Sequence, residues 1–153
     1  GMEIEIAVRK FGIPSNFPSS VIEAAKKLSV EIDNSEVKQR IDLRDLEFIT
    51  IDGEDARDFD DAVLCQFDGE RYHLDVAIAD VSHWVKPGTV LDQAARERGN
   101  SVYLPDRVLP MLPEILSNDV CSLRPDRERF TFVCRMIFDQ QGNLKNSQFV
   151  SGN

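Results

Sequence analysis

Six acidic side chains fall within twelve residues of this chain, in the stretch TIDGEDARDFDD at positions 50–61. They are Asp52, Glu54, Asp55, Asp58, Asp60 and Asp61, and only Arg57 opposes them. Like charges this close repel, so folding them together is unfavourable unless a positive charge sits among them. The flanking runs, EFITID before and DDAVLCQF after, read as strands, with Gly53 breaking the first. Strand, broken loop, strand fixes both ends of the loop and brings its carboxylates together. Carboxylate oxygens are hard ligands, suited to Mg²⁺ or Mn²⁺. Extended chain sends Asp60 and Asp61 to opposite faces, so both reach one site if the chain kinks near Phe59, which is the expectation, or if the metal lies off the strand end. A solvated acidic turn is the competing reading, because charge runs are commonly exposed faces. A calcium loop of the EF-hand kind fails: counted from Asp58, Val63 stands where Gly is required and Gly69 where Glu is required.

A chain of 153 residues predicts one domain with room for a sizeable core. Its 42% hydrophobic content excludes a disordered chain, and no apolar run reaches the ~20 residues a membrane helix needs. Cys65, Cys121 and Cys134 are odd in number and far apart, which argues against a disulfide framework and for a reducing, cytoplasmic setting. Neither His73 nor His83 joins a cluster with zinc spacing. The net charge of −9 opposes simple nucleic-acid binding; the acidic stretch carries −5 of it and leaves the remainder mildly acidic. Any electrostatic grip on nucleic acid therefore lies mostly outside this chain.

The remaining pattern predicts an α+β fold: a mainly antiparallel sheet, a few short helices and a long proline-rich loop. Residues 3–14, EIEIAVRKFGIP, read as a strand ending in a turn. A short helix is expected over 21–28, with Ser20 and Glu23 as a capping box. Residues 30–45 read as a connector. DGE at 68–70 reads as a hairpin turn into RYHLDVAIAD, whose Leu74, Val76 and Ile78 alternate toward one face. Thr89 and Asp92 open a helix that Gly99 closes. Pro105, Pro110, Pro113 and Pro125 forbid long regular elements across the block that follows, apart from a short helix near 114–116. A second hairpin turns at Gly142-Asn143.

Three blocks, DLRDLEFITIDGEDARDFDDAV, HLDVAIADVSHWVKPGTVLDQAARERGNSVYLPDRVLPMLPEILSNDVCSLRPDRERF and the strand after them, resemble the front part of the catalytic domain of the ribonuclease R and ribonuclease II family. The likeness is closest to its bacterial ribonuclease R members. The resemblance implies that residues 1–40 link from a preceding cold-shock-like domain and that 41–153 form the N-terminal part of the catalytic domain, truncated on its C-terminal side. It implies a processive, hydrolytic 3′-to-5′ exoribonuclease that uses two Mg²⁺ ions, with Mn²⁺ able to substitute, and releases nucleoside 5′-monophosphates. Asp52, Asp58, Asp60 and Asp61 match its four catalytic, metal-holding aspartates. Asp52 and Asp61 would hold one ion, and Asp58 and Asp60 would serve the second. Tyr103 matches the tyrosine that stacks on the last base of single-stranded RNA at its 3′ end. His83 and Trp84 match a block near the RNA channel, with a core pair as the bland alternative. Arg96 and Arg98 either meet phosphates or make local pairs.

The family's phosphate-clamping arginines and flanking RNA-binding barrels do not appear in this sequence. The parent is expected to be a cytoplasmic monomer that carries those barrels and has no membrane association. The isolated chain is expected to have little or no nuclease activity and to expose apolar surface where the rest of the domain docks. The alternatives are a catalytically silent, metal-stabilised module that only binds RNA or protein, and an acidic structural domain unrelated to RNA.

Overall fold

The computed structural model describes residues 1–28, 34–54, 56 and 58–153. Residues 29–33, of which 30–33 fall in the expected connector, and Asp55 and Arg57 of the acidic stretch lie outside the described residues.

The N-terminal residues form a helix, α1 (Met2–Lys10), where alternation suggested a strand. The Glu-Ile alternation spans only four residues, too few to outweigh helix-compatible charges. Acids occupy the first turn and bases the last, which suits the helix dipole, and Arg9 Nε meets Glu5 Oε1 one turn back at 3.1 Å. Gly12 ends the helix at φ +62°, with its N–H on the Arg9 carbonyl and the Ile13 N–H on that of Val8. This is the Schellman closure that a left-handed residue allows.

Helix α2 (Ser19–Lys26) begins after Pro18, and the expected Ser20–Glu23 capping box does not form. Pro18, with φ near −55°, starts the helix earlier, and its carbonyl accepts from the Val21 and Ile22 amides. A single turn, α3 (Asn34–Val37), follows.

EFITID does not become a strand. Turns bond Leu46 to Leu43 and Phe48 to Leu46, and only Ile49 reaches the sheet, exchanging two hydrogen bonds with Val63 at 3.0 and 2.8 Å. The sheet itself has four antiparallel strands in the order β1 (Asp61–Phe67), β2 (Tyr72–Ala79), β5 (Thr131–Phe138) and β6 (Leu144–Gly152). Both predicted hairpins form. Between β2 and β5 lie α4 (Val81–Trp84), α5 (Val90–Arg98), the two-residue strands β3 (Val102–Tyr103) and β4 (Val108–Leu109), and a π turn over Leu116–Val120 that carries on from the expected helix near 114–116. Helix α5 carries its predicted caps: Thr89 accepts from the Asp92 amide, and Gly99 closes the end at φ +76°.

Leu74, Val76 and Ile78 share one face of β2, as their alternation predicts, and the covered face is the other one. Asp75, Ala77 and Ala79 are buried, whereas Leu74 and Val76 are half-buried and Ile78 is exposed. Alternation shows which residues share a face; it does not show which face is covered. The alanines win because their small side chains admit close packing. Ala77 sits with Leu43 and Val133, and Ala79 with Val21, Leu91 and Leu116. Asp75 is tolerated there because Arg135, directly opposite on β5, donates Nε to both carboxylate oxygens at 3.1–3.2 Å. The other face shows large apolar groups to solvent, including the stacked rings of Phe132 and Phe149, 5.4 Å apart. Such a face was expected of a chain that needs further partners. Among the described residues no helix is long and apolar enough to cross a membrane.

The residues before β1 are tied to the far edge of this sheet. Ile41 pairs in parallel with Gly152, Leu43 donates to the Asn153 carbonyl at 2.9 Å, and the Arg40 guanidinium reaches Asp80. A Cβ at Gly152 would meet Leu43 Cδ1 at 2.6 Å and Thr131 Oγ1 at 2.8 Å, so only glycine lets this segment approach.

Candidate active site

The acidic loop is held at its second half. The β1–β2 ladder extends one residue beyond the strand, where the Asp60 carbonyl accepts from Ala79 N–H at 2.9 Å. At Phe59 the chain changes partner: its N–H donates to Ser122 Oγ at 3.1 Å, and its carbonyl accepts from Leu123 N–H at 2.8 Å. Asp60 and Asp61 thus occupy consecutive ladder positions, and the change of partner falls at Phe59, the position of the expected kink. In the first half, Ala56 N–H closes a turn onto the Gly53 carbonyl at 3.0 Å, just after Asp52.

Asp52, Asp58, Asp60 and Asp61 are all exposed. Asp61 opens β1 opposite Ile78. Asp58 lines a cleft of about 610 Å³, and the same cleft holds Tyr103, Arg107, Glu114, Ser117 and Asn118. The structure therefore brings Asp58 and Tyr103 together across 45 residues of sequence. Tyr103 is 71% exposed, so its ring is not a core element. Asp52, Asp60 and Asp61 do not line that cleft, and among the described residues no three His, Cys, Asp or Glu side chains gather closely enough to hold a metal ion. As a donor set the four carboxylates still fit a hard divalent cation. Each is open to solvent, and among the described residues none is engaged by a side chain.

The basic candidates resolve toward structure. Arg98 donates to the carbonyls of Pro14 (2.8 Å), Asn16 (2.9 Å) and Pro110 (3.2 Å), with its guanidinium 3.7 Å above the Phe17 ring. Arg96 pairs with Asp92 one turn away on α5. Arg98→Ala is expected to cost about 1.5–3 kcal/mol, because three carbonyls lose a charged donor; Arg96→Ala should stay within about 0.5 kcal/mol. Thermal unfolding of the two variants side by side checks the contrast, and equal effects would refute it. His83 and Trp84 join the core edge: the His83 ring lies edge-on to Trp84 and Phe130, 4.7 Å from each. Burial pushes its imidazole below the usual range despite the Glu36 carboxylate nearby. Burial likewise pushes the Cys121 thiol up to about 12, so it is an inert small hydrophobe. The sequence reading passed over Ser122, whose only signal is a lone hydroxyl in the run VCSL.

The acidic loop thus leads into an antiparallel sheet, and the short hairpin of β3 and β4 carries Tyr103 to the cleft that Asp58 lines. The RNB domain model matches residues 40–153, and the chain belongs to that family. It is 49% identical over 150 residues to Ribonuclease R of Escherichia coli (strain K12), covering 97% of this chain and 18% of that protein. It thus spans about a fifth of the length of this curated relative. Among solved structures, Mycoplasma genitalium RNase R in complex with ribose methylated single-stranded RNA superposes with a TM-score of 0.94 at 36% identity, covering 99% of this chain and 24% of that one. Yeast Ssd1, described as a pseudonuclease, matches with a TM-score of 0.70 at 19% identity over 80% of this chain and 15% of its own, a likeness of fold alone.

Proposed function

We propose that this chain is part of the catalytic domain of a processive 3′-to-5′ exoribonuclease that hydrolyses single-stranded RNA to nucleoside 5′-monophosphates in the cytoplasm. The observation that carries the reading is the shared cleft, which the exposed Tyr103 and Asp58 both line. Tyr103 stacks on the terminal base. Stacking suits an enzyme indifferent to sequence, because every base presents a π-face, and it contributes about 1–3 kcal/mol per base. Asp58 and Asp60 flank the anchored Phe59, and Asp61 begins the strand. Asp52 and Asp61 would hold one Mg²⁺, and Asp58 and Asp60 would serve a second. The chemistry that two such ions supply when bound is activation of a water and neutralisation of charge on the leaving 3′ oxygen. Residues 1–40 lead in from a preceding RNA-binding barrel, and α2 within that segment packs into the same core as α5. The free cysteines suit a reducing compartment.

Two measurements test this. In the full-length protein, Tyr103→Ala should raise KM for short single-stranded RNA about 5- to 150-fold, the equivalent of 1–3 kcal/mol. Its unfolding free energy should change by under about 0.5 kcal/mol, as for an exposed position. An unchanged KM sinks the stacking role. On the isolated chain, Mn²⁺ should broaden amide signals within residues 52–61, and the Asp52→Asn, Asp61→Asn double variant should abolish this. Robust 3′ shortening of RNA by the isolated chain would refute the expectation that it needs the missing phosphate clamps. Full-length protein that leaves RNA intact with either metal would support a silent binding module instead.

A further inference from the structure

The segment that carries Asp58, Asp60 and Asp61 is joined at Phe59 to a buried polar relay that the exoribonuclease reading does not use. Ser122 is 1% exposed, at the end of the π turn. Its hydroxyl accepts the Phe59 N–H, and the next residue, Leu123, donates to the Phe59 carbonyl. Both hydrogen-bonding groups of one backbone residue are thus held by two consecutive residues, 63 and 64 positions away. Behind Ser122 stands Arg129, 9% exposed. Its Nε donates to the Ser122 carbonyl at 3.0 Å, Nη1 to the Glu128 carbonyl at 2.8 Å, and Nη2 to Asp119 Oδ1 at 3.3 Å. A guanidinium with every nitrogen committed to protein is not reaching for RNA phosphate. It ties the Ser122 and Glu128 carbonyls to the Asp119 carboxylate, and so braces the turn that carries the Ser122 hydroxyl.

We infer that Ser122 and Arg129 form a positioning latch that holds the Phe59 backbone against the Ser122–Leu123 segment, and thereby fixes the Asp58, Asp60 and Asp61 side chains relative to one another. The latch rests on the catalytic reading for its purpose, but its geometry is independent of it. Without the latch, the Ala79–Asp60 bond is what ties residues 58–60 to the sheet among the described residues, and Asp58 is released from the cleft it shares with Tyr103. Two neighbouring carboxylates gain nothing from such an anchor unless their relative placement matters, since a solvated acidic turn is equally stable in many arrangements.

The test uses ¹⁵N,¹³C-labelled chain without metal. In Ser122→Ala the Phe59 amide should exchange with solvent at least tenfold faster, while that of Val133, fully buried in β5, is unchanged. The carboxyl ¹³Cγ shifts of Asp58 and Asp60 should move together, and those of the distant Asp68 and Asp139 should not. Arg129→Lys keeps the cation but loses the Nε donor, and should give the same pattern at smaller amplitude; it carries the test if Ser122→Ala does not fold. Unchanged Phe59 exchange overturns the latch. Faster exchange with unmoved Asp58 and Asp60 carboxyl shifts overturns its positioning role and leaves the bond purely structural. The Mn²⁺ titration above is separate: wild-type chain without localised broadening counts against the metal reading, while the latch stands or falls on the metal-free spectra.

Discussion

Asp60→Asn in the full-length protein should lower kcat by about 10²–10³-fold or more, the scale on which removal of one preorganised charge-stabilising group acts. Its stability should stay within about 0.5 kcal/mol of the parent. The combination follows from how Asp60 is held. Its backbone carbonyl takes the Ala79 amide, so its contribution to the fold is made by the main chain. Its side chain is exposed and has no side-chain partner among the described residues. Asparagine keeps the shape and removes the charge. Single-turnover RNA degradation and thermal unfolding on the same preparation decide the matter. Loss of both activity and stability would mean that the carboxylate is structural. Retention of activity would remove Asp60 from the catalytic set.

The largest stability effect is expected at Arg40. Its Nη2 lies 2.7 Å from Asp80 Oδ2, with each side chain only 11% exposed, and its guanidinium packs 4.0 Å over the Phe130 ring. Nη1 also reaches the carbonyls of Thr131 and Gly152 at 3.3 and 3.4 Å. Arg40→Ala leaves Asp80 buried without its cation and should cost about 3–5 kcal/mol. The pH dependence distinguishes this from lost packing. Burial alone pushes the Asp80 carboxyl up, but the Ser82 hydroxyl and Arg40 outweigh it and hold the group below its usual range. A depressed folded value means that the stabilisation is complete above the ordinary Asp value, about 3.9, and is lost as pH falls through the folded one. Wild-type protein should therefore lose this increment below about pH 4, and Arg40→Ala should show a flatter acid limb. Parallel stability curves for the two proteins between pH 7 and 3 would refute the role of the pair.

What was legible in the sequence was whatever short-range chemistry decides. Helix α5 was readable because Thr89 and Gly99 punctuate it, and the two hairpins because DGE and Gly142-Asn143 turn them. Where the structure departs from the local pattern, the reasons differ. Residues 3–6 alternate like a strand, yet α1 docks Glu5 on Arg107. Leu74, Val76 and Ile78 share one face as their alternation predicts, but which face neighbours cover, the alanine one, is not written in that alternation. EFITID has strand composition, but turns at Leu43 to Phe48 leave only Ile49 to pair. At the site, the acidic cluster announced itself through charge density. Tyr103 could be singled out only through family resemblance, and Ser122 not at all, since one hydroxyl in an apolar run carries no pattern.

The parallel pairing of Ile41 with Gly152 bears on how the chain acquires its structure during synthesis. Residues 40–43 leave the ribosome more than a hundred positions before the strand edge they bind, and Arg40 reaches a Gly152 carbonyl 112 positions away. Closing so long a loop adds little to the equilibrium cost, which grows only with the logarithm of length, but it delays the contact until β6 exists. The segment entering the domain must therefore wait, undocked, while the hairpins of β1–β2 and β5–β6 assemble. Docking of Arg40 onto Asp80 then becomes a late event that registers completion of the sheet. Variants that weaken it should speed unfolding more than they slow folding.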